Sequence, residues 1–128
     1  MGATRNRLSD REITPDIKFD SATDLRATFP RFSKDAMRAN MPLVEMLNDI
    51  ARGKDVSAVQ VALAWLLAQK PFIVPIPGMD KLEYIEDNIK SADLVLSSAD
   101  LQEIEERLAS IAIQGERLSK ELLSLSEE

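Results

Sequence analysis

Apolar positions recur at helical spacing in four stretches of the chain, and in one place they form a short unbroken run. The run is Phe72-Ile-Val-Pro-Ile-Pro-Gly78. Rich in Ile and Val and bounded by Pro and Gly, it predicts one short, fully buried strand over 72–76. Before it, Ser57 to Ala68 predicts the clearest helix. Ser57 and Gln60 form a capping box, Val56 and Val61 a hydrophobic staple, and Gln60 is the one polar residue from Ala58 to Ala68. A helix apolar all round belongs in a large interior. After the run, Asp80 is expected to cap a third helix ending near Ser91. Glu83 is its box partner and Leu82, Ile85 and Ile89 its inner stripe. Leu94–Leu96 is an extended apolar link. Ser97 or Ser98 then caps a fourth helix with Leu101, Ile104, Leu108 and Ile111 facing inward and Gly115 as its end.

The first helix is expected from Ser33 to Ala51, with Gly53 as the stop. Met37, Met41, Val44, Leu47 and Ala51 follow its spacing. Pro42 interrupts, removing one backbone hydrogen bond at a cost of about 3 kcal/mol. Either the helix kinks there or a short turn over 34–40 precedes a new helix capped by Asn40; the second reading is preferred. Residues 1–32 read as an extended loop region with a turn at Ser21–Asp24, 33–113 as a βα segment, and 114–128 as an acidic tail, helical or frayed. A strand buried on both faces needs neighbours on both edges. No second strand is legible in the 128 residues.

Composition narrows the chemistry. The sequence contains no Cys and no His, which excludes disulfides, thiolate chemistry, Ser–His nucleophiles and His-based metal sites. The net charge of −6 is uneven: residues 82–128 hold twelve acidic and four basic residues, which argues against nucleic acid as a partner. No apolar run approaches a membrane span, and the opening residues lack the apolar core of a secretory leader, so a cytoplasmic location and no membrane partner are expected. The acidic run Asp100–Glu106 diverges around its helix and reads as a solvated face. Trp65 reads as core.

Three motifs, Gln60-Val-Ala-Leu-Ala-Trp-Leu-Leu-Ala68, Ile73-Val-Pro-Ile-Pro-Gly78 and Asp87-Asn88-Ile89, closely resemble the C-terminal part of an aldo-keto reductase. Lys18-Phe-Asp20, Asp24-Leu-Arg26, Pro30-Arg-Phe32 and Asn40 fit the same family, and the likeness covers roughly residues 8 to 108. The resemblance implies an α/β ancestry: a partial (β/α)8 TIM barrel, of which this chain holds the last third or less. Ile73–Ile76 would be the last strand and Leu82–Ser91 the last helix. A full barrel runs to about 250 residues.

The family reduces aldehydes and ketones with NADPH or NADH. The resemblance implies NADP or NAD as cofactor, gripped at its adenosine end by the loop after the last strand and the helix behind it. Gly78, Met79, Asp80 and Lys81 would line the phosphate side, Tyr84 would stand where an Arg commonly holds the 2′-phosphate, and Asp87 and Asn88 would replace the Glu-Asn pair that contacts adenine. Met79, Asp80 and Tyr84 depart from the family pattern, which puts NADP preference in question. The family's catalytic Asp, Tyr, Lys and His come from sequence this chain does not contain, so no catalytic residue is expected here. Bland readings stand beside these. Asp80 is also a plain N-cap, Lys81 a surface charge, and Asp87 and Asn88 inherited residues without a ligand. Two functional readings follow: a segment of an oxidoreductase, inactive alone, or a non-catalytic helical module that self-associates. The expected partner is a second copy or the missing barrel half.

Overall fold

The computed structural model describes residues 14–125. Five helices carry the fold: α1 (Lys34–Lys54), α2 (Ala58–Gln69), α3 (Leu82–Lys90), α4 (Ser98–Ala109) and α5 (Lys120–Ser124), with two 3-10 turns, Leu25–Thr28 and Pro30–Phe32, ahead of them. Among the described residues there is no strand. The expected strand over 72–76 is corrected: the segment has no ladder partner, and Phe72, Val74 and Ile76 are each more than three-quarters exposed. Apolar composition marked the segment for burial, but among the described residues no strand lies beside it.

α1 is one continuous helix, so the preferred reading of a new helix at Pro42 is also corrected. Pro42 lies on the exposed face, where water can satisfy the carbonyl left without a donor. Burial of Met37, Met46, Leu47 and Ile50 on the other face holds both halves to one axis. The helix runs past Gly53 to Lys54. Asp55 takes the left-handed conformation at φ 53, its N–H bonds Arg52 O at 3.3 Å, and Val56 N–H bonds Ala51 O at 3.0 Å. This is a Schellman closure with Asp at the position that glycine usually fills.

α1 packs on α2 and α4. Their shared core is Met46, Leu47, Ile50, Ala51, Val61 and Ile104, flanked by Trp65, Leu94, Leu96 and Leu108. Trp65 is core, as the sequence suggests, yet its buried indole N–H has no hydrogen-bond partner. A smaller cluster joins Phe29, Phe32 and Met37, with Phe19 edge-on to Phe32 at 5.4 Å between ring centres. Arg26, paired with Asp24, lies 4.7 Å over the Phe19 ring.

α4 begins at the expected cap: Ser97 and Asp100 exchange side-chain and backbone hydrogen bonds in a complete box. It ends at Ala109 rather than Gly115. Gly115 has φ +82 and instead makes a turn pressed against the 3-10 segment; a Cβ there would stand 2.8 Å from Arg31 Cα. Fully buried Asn40 donates to Gln114 O and accepts from Gln114 N–H, both at 2.8 Å. Arg31 N–H donates to Glu116 O at 3.1 Å. These bonds fasten residues 114–116 to the front of α1. Lys54–Asp100 (2.7 Å) and Arg107–Asp49 (2.9 Å) tie α1 to α4 at the surface. The tail carries one short helix, α5, capped by Ser119.

Candidate functional site

Gly78–Lys81 forms an irregular loop between the extended segment and α3. Gly78 is half-buried, while Met79, Asp80 and Lys81 are exposed. The cap expected at Asp80 is not formed. The first α3 hydrogen bonds run from Tyr84 and Ile85 N–H to Lys81 O, so the helix register starts one residue later, with Lys81 at the N-cap and its side chain making no capping hydrogen bond. The N–H groups of Leu82 and Glu83 make no intrahelical bond, as the first turn of any helix requires. Lys81 Nζ donates to the Tyr84 hydroxyl at 3.3 Å and lies 5.0 Å over the Tyr84 ring. The Lys81 ammonium thus stands at this helix start.

α3 docks by an unexpected face. Asn88 and Ser91 are buried and Tyr84 and Asp87 half-buried, whereas Leu82, Ile85 and Ile89 are 71%, 36% and 64% exposed. The expected inner stripe therefore points outward. What holds α3 to α2 is polar. The Ser57 hydroxyl donates to Asp87 Oδ2 and the Gln60 amide donates to Asp87 Oδ1, both at 2.7 Å. Ser57 Oγ also accepts from Gln60 N–H at 3.2 Å, which is the N-cap bond of α2. The expected Ser57–Gln60 box is thus half made: the buried Gln60 side chain donates to a carboxylate instead of reaching back to the cap. A sequence signal for this triad existed in the Ser-x-x-Gln spacing, but its partner 27 residues away lay outside any local pattern.

Asp87 also lines an open cleft of about 590 Å³ with Asp55, Ser57, Gln60, Lys90 and Asp93 among its walls. None of Gly78–Lys81 lines it. The structure therefore separates the sequence-predicted site residues into three places. Gly78–Lys81 with Tyr84 gather at the α3 start, Asp87 joins α2 at the cleft, and Asn88 sits in the interior. Among the described residues no group of acidic side chains is arranged to hold a metal ion, and no helix is long and apolar enough to cross a membrane.

Comparison with known proteins adds to this geometry. The aldo/keto reductase family model matches residues 4–109. Aldo-keto reductase yakc of Schizosaccharomyces pombe, whose name carries the tag NADP(+), is 36% identical over 94 residues, 73% of this chain and 28% of the relative. Aldo-keto reductase str7 of Strobilurus tenacellus is 33% identical over the same shares. Probable aldo-keto reductase 1 of Glycine max is 34% identical over 88 residues, 69% of this chain and 25% of the relative. No solved structure matches. The chain spans about a quarter of the length of the curated relatives it matches. A family model covering residues 4–109 and relatives at 33–36% identity establish that this chain belongs to the aldo/keto reductase family.

Proposed function

We propose that this chain supplies the adenosine-side cofactor site of a nicotinamide-dependent carbonyl reductase and is inactive by itself. The observation that carries the reading is the α3 start, where two unbonded helical N–H groups, of Leu82 and Glu83, stand beside the Lys81 ammonium. Free donors and the positive end of a helix favour a phosphate. That fits one end of NADP or NAD. The fit is incomplete elsewhere: Asp80 brings a carboxylate to the same loop, and Tyr84 offers a phenol where a guanidinium would grip a 2′-phosphate. In this reading Gly78 lets the backbone approach the phosphate, Met79 covers it, and Lys81 neutralises it. Asn88 would have to turn from the interior to reach adenine, and Asp87 already accepts from Ser57 and Gln60. NAD is the better match of the two.

When bound, the nicotinamide ring supplies a hydride to a carbonyl. A proton donor beside the carbonyl is also needed. In this chain the only Tyr is Tyr84, whose hydroxyl is engaged with Lys81, and there is no His. The reading places the chain in the cytoplasm, as the last part of a (β/α)8 barrel whose other strands lie in sequence outside these residues. The test is a calorimetric titration of the 128-residue chain with 2′,5′-ADP and with 5′-ADP, repeated on Lys81→Ala. Binding of 5′-ADP at least as tight as 2′,5′-ADP, weakened several-fold by Lys81→Ala, supports it. No binding of either, or binding indifferent to Lys81, overturns it. No NAD(P)H turnover with aldehydes is expected; turnover abolished by Tyr84→Phe would sink the claim of inactivity.

A further inference from the structure

We propose that Ser57 and Gln60 are positioning residues for the anion site at the α3 start: they grip Asp87, and through it set how α3 is turned. This role deepens the cofactor reading above and rests on it. The Ser57 hydroxyl donates to Asp87 Oδ2 and the Gln60 amide to Asp87 Oδ1, both at 2.7 Å. Ser57 Oγ is itself held in place, because it accepts from Gln60 N–H at 3.2 Å as the N-cap of α2. Gln60 is only 6% exposed, so its side chain is confined by packing.

Two donors on the two oxygens of one carboxylate fix more than a distance. A single hydrogen bond would let α3 turn about its own axis. A pair on separate oxygens resists that turn, as two-pronged contacts to a carboxylate add geometric specificity. Both donors come from one turn of α2, so the reference against which α3 is set is a single rigid element.

The gripped residue and the anion site lie on the same short helix. At a rise of about 1.5 Å per residue, Asp87 stands about 7.5 Å along the axis from Leu82. A turn of about 20° at a Cα radius of about 2.3 Å moves a backbone group by about 0.8 Å. That exceeds the range of about 0.5 Å over which good N–H···O distances fall. Releasing Asp87 would therefore turn the N–H groups of Leu82 and Glu83 away from a phosphate, even with the Lys81 ammonium in place.

Charge agrees with this assignment. Asp87 puts an acid on the helix that must receive an anion. Its carboxylate lies against the N-terminus of α2, where the helix dipole favours negative charge. Ser57 and Gln60 thus meet that charge while they set the helix. The role asks for no contact between either residue and the cofactor.

The test is calorimetric titration of the 128-residue chain with 5′-ADP, on wild type, Ser57→Ala, Gln60→Met, Ser57→Thr and Asn40→Leu. Circular dichroism confirms that each is folded at the titration temperature, and amide NMR spectra are compared for wild type and Ser57→Ala. Ser57→Ala should weaken 5′-ADP by about three- to tenfold and shift the amide signals of Leu82 and Glu83. Gln60→Met removes one donor, keeps the α2 cap, and should weaken binding in the same direction. Ser57→Thr keeps both the cap oxygen and the donor and should bind as wild type does. Asn40→Leu disturbs a buried contact outside α2 and α3 and should leave the affinity unchanged, which separates positioning from a general loss of stability. Wild-type affinity in both Ser57→Ala and Gln60→Met, no rescue by Ser57→Thr, equal weakening by Asn40→Leu, or unmoved Leu82 and Glu83 signals would each overturn the positioning role and leave the cofactor reading standing. A wild type that binds no 5′-ADP overturns both.

Discussion

Asp87 accepts a hydrogen bond from the hydroxyl of Ser57 at 2.7 Å, joining the middle of α3 to the N-cap of α2. Gln60 completes the arrangement on the other carboxylate oxygen. Bonds to an ionised acceptor are the stronger kind, about 1.5–3 kcal/mol each. Asp87→Ala should therefore destabilise the chain by about 1–3 kcal/mol, read as a lowered midpoint in urea. A double-mutant cycle with Ser57→Ala should show a clear coupling. Additive losses would mean the contact contributes little.

Asn40 and Gln114 predict a second effect. Replacing Asn40 with Leu strips both partners from the Gln114 backbone at a fully buried site. The expected loss is about 1–3 kcal/mol for unsatisfied groups. Gly115→Ala should act on the same contact, by positive φ and by collision with the Arg31 backbone. A melting temperature within error of wild type for both would show that the loop is not fastened there.

The end of α1 predicts a gain. Asp55 holds a left-handed conformation that costs a side-chain residue and costs glycine nothing. Asp55→Gly should raise stability by about 0.5–1 kcal/mol in thermal unfolding. A loss instead would show that the Asp55 side chain holds something in place.

Acidification supplies a fourth. Hydrogen bonding from Lys54, then from Ser97 N–H, holds the Asp100 carboxyl below its usual value of 3.8; hydrogen bonding from Arg107 does the same for Asp49. A depressed folded-state value stabilises above the unfolded one and is lost as pH falls through the folded value. The contribution is thus whole at neutral pH and fades below about pH 4. Asp100→Asn should flatten that acid limb of the stability curve. An unchanged limb would assign the acid loss to other carboxylates.

Much of the helical framework could be read from residue spacing, because α2 and α4 carry their caps and their apolar positions in local sequence. Ser57 and Ser97 are where expected, and Ile104 is buried as expected. The exposed faces could not be read the same way. Leu82, Ile85 and Ile89 form a regular stripe, and regularity says that a face is apolar without saying whether anything lies against it. The same holds for Val74 and Ile76. Gly115 was legible as a glycine with a purpose but not as a turn against Arg31, since that contact joins residues far apart in sequence. Asn40 carried a local signal that could have been weighed: a lone amide on the face of Met37 and Val44 must find a buried partner. Of the candidate site, a loop followed by a helix was legible, but the cap was not: the helix is capped at Lys81 and not at Asp80, and the polar capture of Asp87 by α2 depends on the tertiary approach of two helices.

Arg31 and Asn40, fastened to residues 114–116, give the chain a closed circuit: the stretch before α1 and the stretch after α4 meet, with everything between them enclosed. A protease cutting at the exposed Val74–Ile76 segment would therefore open the circuit without parting its halves. The piece bearing α1 and α2 would still hold the piece bearing α4, through Ile104 in the core, Asp100 on Lys54 and Gln114 on Asn40. Nicked material should migrate as two fragments in denaturing gels yet elute as one species under native conditions.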